Sequence, residues 1–280
     1  MKSLYSMSGQ LKTLSFTLII IFVGLTASSQ TNANYFAIKY IKVDPSVESE
    51  YLRLELEVWK KIHQARVKEG VLDGWYLFRI VSPAGTSAKY NYLTIEAYNG
   101  SEKLAGHFDG YGVDYTGILS PDDIALALRT PEIKDMIYEE VWRTVDEVLN
   151  LNSGDMYRYQ IFNSMKLRPG TEESDYQRME QTYWKPMHQE RMKRGTMKGW
   201  GLYTMIIPGG TERDYHWATV DFYDDFINYL EPTTPILESV HGETSAQKYI
   251  KETTEKRDLL KAEIRELVDF VNPSSGSSSN

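Results

Sequence analysis

The chain has 280 residues, 41% apolar, 12% aromatic and 25% charged, with 10 Pro, 19 Gly and no Cys. This composition is ordinary for a globular protein and excludes collagen-like, coiled-coil and disordered chains, while the lack of cysteine excludes disulfide scaffolds, zinc fingers, iron–sulfur centres and cysteine nucleophiles. A formal net charge of −8 repels phosphate backbones and anionic headgroups, so neither nucleic acid nor a membrane surface is an expected partner.

Reading from the N terminus, Lys2 and Lys12 precede an apolar run over 14–23, and Ala27, Ser28 and Ser29 follow it. Basic, apolar, then small is the order of a secretory signal. The run holds about ten apolar residues, whereas a bilayer span needs about 20. The expectation is an export signal over 1–30 and a periplasmic or secreted protein, whose net charge becomes −10 once the two lysines are removed. A first unit is predicted over 31–152. It begins with a strand over 35–43, then a helix over 47–69 that stops at Gly70. A hairpin over 75–82 and 90–98 turns at Pro83-Ala84-Gly85-Thr86. A loop-rich stretch over 100–130 and a long helix over 131–150 complete the unit.

The second unit, 153–271, repeats that order. It comprises a strand over 159–168, a helix over 172–194 and a hairpin over 200–207 and 215–223. A divergent stretch over 224–247 and a long helix over 248–271 follow. Pro186 falls inside the second unit's first helix and is expected to kink or divide it. Residues 272–280, N-P-S-S-G-S-S-S-N, read as a disordered tail.

The two units are related by a duplication. Shifted by 125 positions, residues 51–98 lie on 176–223 without a gap, and 19 of the 48 positions are identical. The shared skeleton is Y-x-R-x-E-x3-W-K-x2-H-Q-x-R-x-K-x-G-x3-G-W-x-L followed by P-x-G-T. The period is too long and the copies too few for a solenoid or propeller.

The hairpin strands alternate. Leu93, Ile95 and Ala97, matched by Ala218, Val220 and Phe222, form an aliphatic row assigned to the helix side. Tyr90, Tyr92, Thr94, Glu96 and Tyr98 form an aromatic and acidic row, matched by Tyr215, Trp217, Thr219, Asp221 and Tyr223. So many rings are not expected to face solvent, and the two rows are expected to cover one another. With this order, βαββα in two copies, the chain resembles the dimeric α+β barrel superfamily of ferredoxin-like fold. That group contains cofactor-free monooxygenases and haem-using branches. The pattern W-K-x2-H-Q-x-R with the later G-W resembles an exported, tandem-duplicated family on that fold, which implies no particular activity. The resemblance implies an α+β chain whose two repeats pack as an internal pseudo-dimer. One departure stands out: the fourth strand of a ferredoxin-like unit is not evident in either copy, which implies an incomplete or rearranged barrel.

Candidate site residues come from two places. On the first helix, Glu55, Trp59, His63 and Arg66 share a face and recur unchanged as Glu180, Trp184, His188 and Arg191, while apolar neighbours such as Val58 and Tyr183 differ. Exposed polar positions should drift, so two causes fit: a buried hydrogen-bond network, the stronger of the two, or a pocket with histidine as acid or base and arginine as anion clamp. On the sheet, Tyr92, Glu96, Trp217 and Asp221 place acids among rings, where burial would raise a carboxylate pKa. No metal site is expected, because the five histidines lack ligand spacing, and no cofactor is called for. His107, in a loop-like G-H-F-D-G, is a weak haem-ligand candidate. The functional expectation is an exported protein binding a small organic ligand in an aromatic-lined cavity, with room for cofactor-free chemistry. The rival is a non-catalytic structural or protein-interaction module, and homo-oligomerisation fits either.

Overall fold

The computed structural model describes residues 34–109, 117–150 and 156–273. The expected signal over 1–30 and most of the expected tail, 274–280, lie outside them. The first half runs β1 (Asn34–Lys42), α1 (Glu48–Arg53), a π-helical segment (Leu54–Trp59) and α2 (Lys60–Lys68), as one continuous helix after β1. It continues with β2 (Gly74–Ser82), β3 (Tyr92–Asn99), α3 (Ser101–Asp109), α4 (Pro121–Leu128), α5 (Thr130–Ile133) and β4 (Asp135–Leu149). The second half runs β5 (Tyr159–Leu167), α6 (Glu173–Met179), a π-helical segment (Glu180–Trp184), α7 (Lys185–Lys193), β6 (Gly199–Ile207) and β7 (Trp217–Tyr223). It ends with α8 (Thr233–His241), α9 (Glu243–Lys256) and β8 (Arg257–Val271).

The eight strands close into one antiparallel barrel in the order β1-β3-β2-β8-β5-β7-β6-β4. Strand β4 pairs with β1 of its own half and with β6 of the other, and β8 pairs with β5 and with β2. Each half therefore supplies the strand that completes the other's sheet, and the barrel has no open edge.

This corrects the long helices expected over 131–150 and 248–271, and the fourth strand expected to be missing. Only Glu243–Lys256 of the second stretch is helical before β8 begins at Arg257. Two features hid these strands. Ile137, Val141, Val145 and Val148 recur at helical steps among good helix formers. Bulges at Ile137 and Val145 in β4, and at Leu260 and Val268 in β8, break the two-residue period. The stretches expected as loops over 100–130 and 224–247 also hold helices, α3 to α5 and α8.

The first helix stops as expected: Gly70 and Gly195 take φ of 74° and 76°, a conformation a Cβ disfavours. Pro186 does not divide its helix alone. A π-helical segment precedes it, and the first half carries the same segment with Lys61 at the proline position.

The two sheet faces are the reverse of the expectation. Leu93, Ile95, Ala218, Val220 and Phe222 point into the barrel, packed with Ile38, Phe78, Trp142, Phe162 and Tyr203. Tyr92 and Tyr98 lie under the first half's helices with Tyr51, Leu54, Val58 and Trp75, and Trp217 and Tyr223 do the same in the second half with Tyr176 and Met179. Tyr90 and Tyr215 leave their row and pack with the barrel interior. Alternation shows that two faces differ without showing which is inside. The acids decide it: a buried carboxylate needs a cation or donors, and the helices bring Arg66 and Arg191 to Glu96 and Tyr223.

Candidate functional site

The twelve residues singled out in the sequence lie between helix and sheet, in two layers outside the barrel. In the first half, Arg66 holds Glu96 with two parallel bonds of 3.1 and 3.2 Å, and Lys39 adds a third at 3.1 Å. Tyr98 also donates to Glu96, and His107 stands 3.2 Å from it, with its other ring nitrogen on Glu139. Burial alone would raise the Glu96 pKa, but His107, Lys39 and Arg66 together hold it well below the usual carboxylate range. His63 stacks on Trp75 with ring centroids 4.9 Å apart, and burial drops its pKa to about 3. Burial therefore favours its neutral form. Glu55, brought inward by the π-helical segment, binds Lys134 at the head of β4, and that ammonium also sits over the Trp59 ring. Tyr92 donates to Glu48 at 2.7 Å.

The second layer repeats this plan with looser contacts. Glu180 binds Arg257, the first residue of β8, at 3.0 Å, so both glutamates pin a fourth strand. Burial raises the Glu180 pKa despite that partner. Trp184 donates to Thr253 at 3.0 Å, and Trp217 meets Tyr176 edge-on at 5.1 Å. His188 stacks on Trp200 and is likewise pushed to about 3 by burial. Arg191 bonds Tyr223 at 3.0 Å and the Glu231 carbonyl at 2.8 Å rather than the acid on its sheet. That acid, Asp221, is one methylene shorter than Glu96. It takes one bond from Asn163 at 3.1 Å, where the first half has Lys39, and its Oδ1 stays 3.9 Å from His188. Burial raises its pKa to about 7. The two layers brace helix against sheet, and none of the twelve residues reaches the barrel interior cavity.

One end of the barrel interior is closed by a polar plug. Tyr90 donates to Glu263 and Tyr215 to Glu140, each at 2.6 Å and each across the two halves. Tyr40 and Trp142 also donate to Glu140, at 2.9 and 3.0 Å. Arg265, 1% exposed, crosses the middle of the barrel. It bonds Glu263 at 2.8 Å, Gln160 at 3.1 Å and Tyr40 at 3.3 Å, and its guanidinium lies 4.0 Å from the Phe162 ring centre. Burial works against its charge, yet Glu263 and the tyrosines keep its pKa raised.

The other end holds a cavity of about 320 Å³. It opens where β1 starts and β3 and β4 end, at Asn34, Asn99 and Leu149. Phe36, Ile38, Ile95, Trp142, Phe162, Val220 and Phe222 form its apolar wall. Its polar groups are few: Arg265 and Gln160 inside, and Glu147, Tyr76, Tyr157 and Tyr203 towards the mouth. Tyr203 donates to Glu147 at 3.0 Å, and burial raises the Glu147 pKa. Few convergent polar groups in a mostly apolar concavity are what small-molecule sites consist of. The sequence reading missed every one of them. The signal present was divergence: by strand register Trp142 and Arg265 are equivalent, as are Phe36 and Gln160.

No family model matches the chain, and no curated protein matches it. Solved structures do. A candidate monooxygenase from Fusobacterium nucleatum superposes with a TM-score of 0.54 at 12% identity, over 86% of this chain and 94% of that one. Another from Lactobacillus acidophilus gives 0.50 at 14% identity, over 86% and 97%. The chain shares their fold, a mixed α+β chain closed into one eight-stranded barrel.

Haem, which some branches of that fold carry, does not fit these residues. Both ring nitrogens of His107 are occupied, Nδ1 by Tyr98 at 2.9 Å and Nε2 by Glu139. Burial would lower its pKa, but Glu139 and Glu96 raise it. Among the described residues that line the cavity there is no histidine. Among the described residues no cluster of three or more His, Asp or Glu side chains is arranged to hold a metal ion.

Proposed function

We propose that this is an exported small-molecule-binding protein, built as an internal pseudo-dimer of two repeats, with its ligand held inside the barrel. The observation that carries the binding site is the cavity of about 320 Å³, at the small end of the roughly 300–1,000 Å³ typical of ligand pockets. Its aromatic wall supplies affinity through removal of apolar surface from water, and Arg265, Gln160 and Glu147 supply orientation. The pseudo-dimer reading is supported by the cross-pairing of β4 with β6 and of β8 with β2. Export is supported by the order of residues over 1–30 and is tested by the N-terminal sequence and compartment of the mature protein.

Binding is tested by filling the cavity. Ala97 lines it, and Ala97→Trp should abolish saturable binding of small aromatic ligands seen by quenching of tryptophan fluorescence. Ile95→Phe, a smaller increment on the same strand, should weaken it. Unchanged binding in both folded variants would move the ligand out of the barrel.

A further inference from the structure

The two halves have equivalent positions throughout the barrel, and at the cavity end they hold different chemistry. Glu147 faces Gly201 across β4 and β6, and its equivalent Phe270 faces Tyr76 across β8 and β2. A duplicated lumen with Phe at both positions would be apolar there. In this chain one side has become a carboxylate with a glycine opposite. A Cβ on Gly201 would collide with the Tyr203 ring, at 2.6 Å from its carbons. The missing side chain thus lets Tyr203 lean towards the mouth, where its hydroxyl reaches Glu147 Oε1 at 3.0 Å. Among the described residues no other side chain donates to Glu147, so Oε2 remains able to accept. Deeper in, Arg265 replaces its equivalent Trp142. Its five N–H groups make three bonds to protein, which leaves two donors. Its charge is already offset by Glu263, so the remaining donors suit a neutral oxygen better than an anion.

We propose that the cavity is specific for a flat ring compound with an acidic hydroxyl, a phenol or enol, at the mouth and a carbonyl oxygen at the far end. The hydroxyl donates to Glu147 and the carbonyl accepts from Arg265. This rests on the barrel cavity being the ligand site. Burial, which raises the Glu147 pKa from its ordinary value, agrees with a group that shares a proton with its ligand.

Three probes separate the elements: 6-hydroxy-2-acetylnaphthalene, its methyl ether 6-methoxy-2-acetylnaphthalene, and 2-naphthol, which lacks the ketone. On the full-length protein, by calorimetry and fluorescence, the hydroxy ketone should bind about tenfold or more tightly than either of the others, since each lacks one hydrogen bond. In Glu147→Leu, with folding checked by the melting temperature, the preference for the hydroxy ketone over its ether should disappear. Equal binding of ketone and ether to wild type, or an equal loss of both in Glu147→Leu, would overturn the role of Glu147 while leaving the cavity reading intact. Equal binding of 2-naphthol and the hydroxy ketone would overturn the role of Arg265. If no probe binds saturably, the cavity reading fails and takes this inference with it.

Discussion

The helix-facing layers and the barrel interior both hold equivalent positions of the two halves, and the two regions treat those positions in opposite ways. Beneath the helices, Glu55 and His63 recur as Glu180 and His188 in equivalent contacts, and Arg66 recurs as Arg191, equally buried but bonded to Tyr223 and the Glu231 carbonyl. Inside the barrel, equivalent positions read Trp142 and Arg265, Phe36 and Gln160, Phe270 and Glu147. Identity between copies therefore marks what each half needs to stand. Divergence marks the cavity in which the proposed single asymmetric ligand would be received. A two-fold cavity would offer a ligand the same groups twice, and this one does not.

The contrast can be broken most severely at Glu96. Glu96→Ala would leave Arg66 and Lys39 buried or half-buried without a carboxylate, and denaturant unfolding should show a loss of about 3–5 kcal/mol. Cavity binding measured well below the melting temperature should be unchanged. A large loss of binding at preserved stability would return the helix layer to the active region.

The second layer gives a pH-dependent version of the same test. Asp221 has a folded pKa of about 7 against an ordinary 3.8, so the folded state binds the extra proton between those values. Stability from this group is complete below about pH 4 and is lost as the pH rises towards 7, by at most about 4 kcal/mol. Asp221→Asn should remove that part of the slope and be more stable than wild type at pH 8, measured by urea denaturation at pH 5 and pH 8. Glu96, held the other way by its cations, should show no such gain in Glu96→Gln. A smaller effect is expected at the strand anchors: Glu55→Gln weakens the contact with Lys134 and should cost about 1–3 kcal/mol. If instead it alters ligand affinity without altering stability, the anchoring role is wrong.

Much of this architecture was legible in the residues. The gapless repeat, the first helix with its glycine stop and the hairpin with its Pro-Gly turn follow local rules, and the structure has them within a few residues. The fourth strands were not legible. Both faces of β4 are occupied, Trp142 inside and Val145 outside, so no clean alternation survives, and its bulges shift the phase. The cavity residues were not legible for a different reason. Persistence of polar residues is a good sign of constraint, but burial beside a partner constrains as firmly as a ligand does. Glu147 has no repeated counterpart to draw attention, and its meaning depends on Tyr203 and Gly201 from a strand of the other half.

The cross-pairing of the fourth strands also sets the order of events in folding. Pairing Trp75 with Val271 joins points separated by nearly the whole described chain, and closing so long a loop is entropically slow compared with forming a local hairpin. Until β8 docks, β2 and β5 both present bare edges, and the first half cannot hide its own. A nascent chain is therefore committed to waiting for its last strand. Early exposure of the β2 edge is the stage at which a second chain's β8 could be captured in place of its own, giving an exchanged dimer.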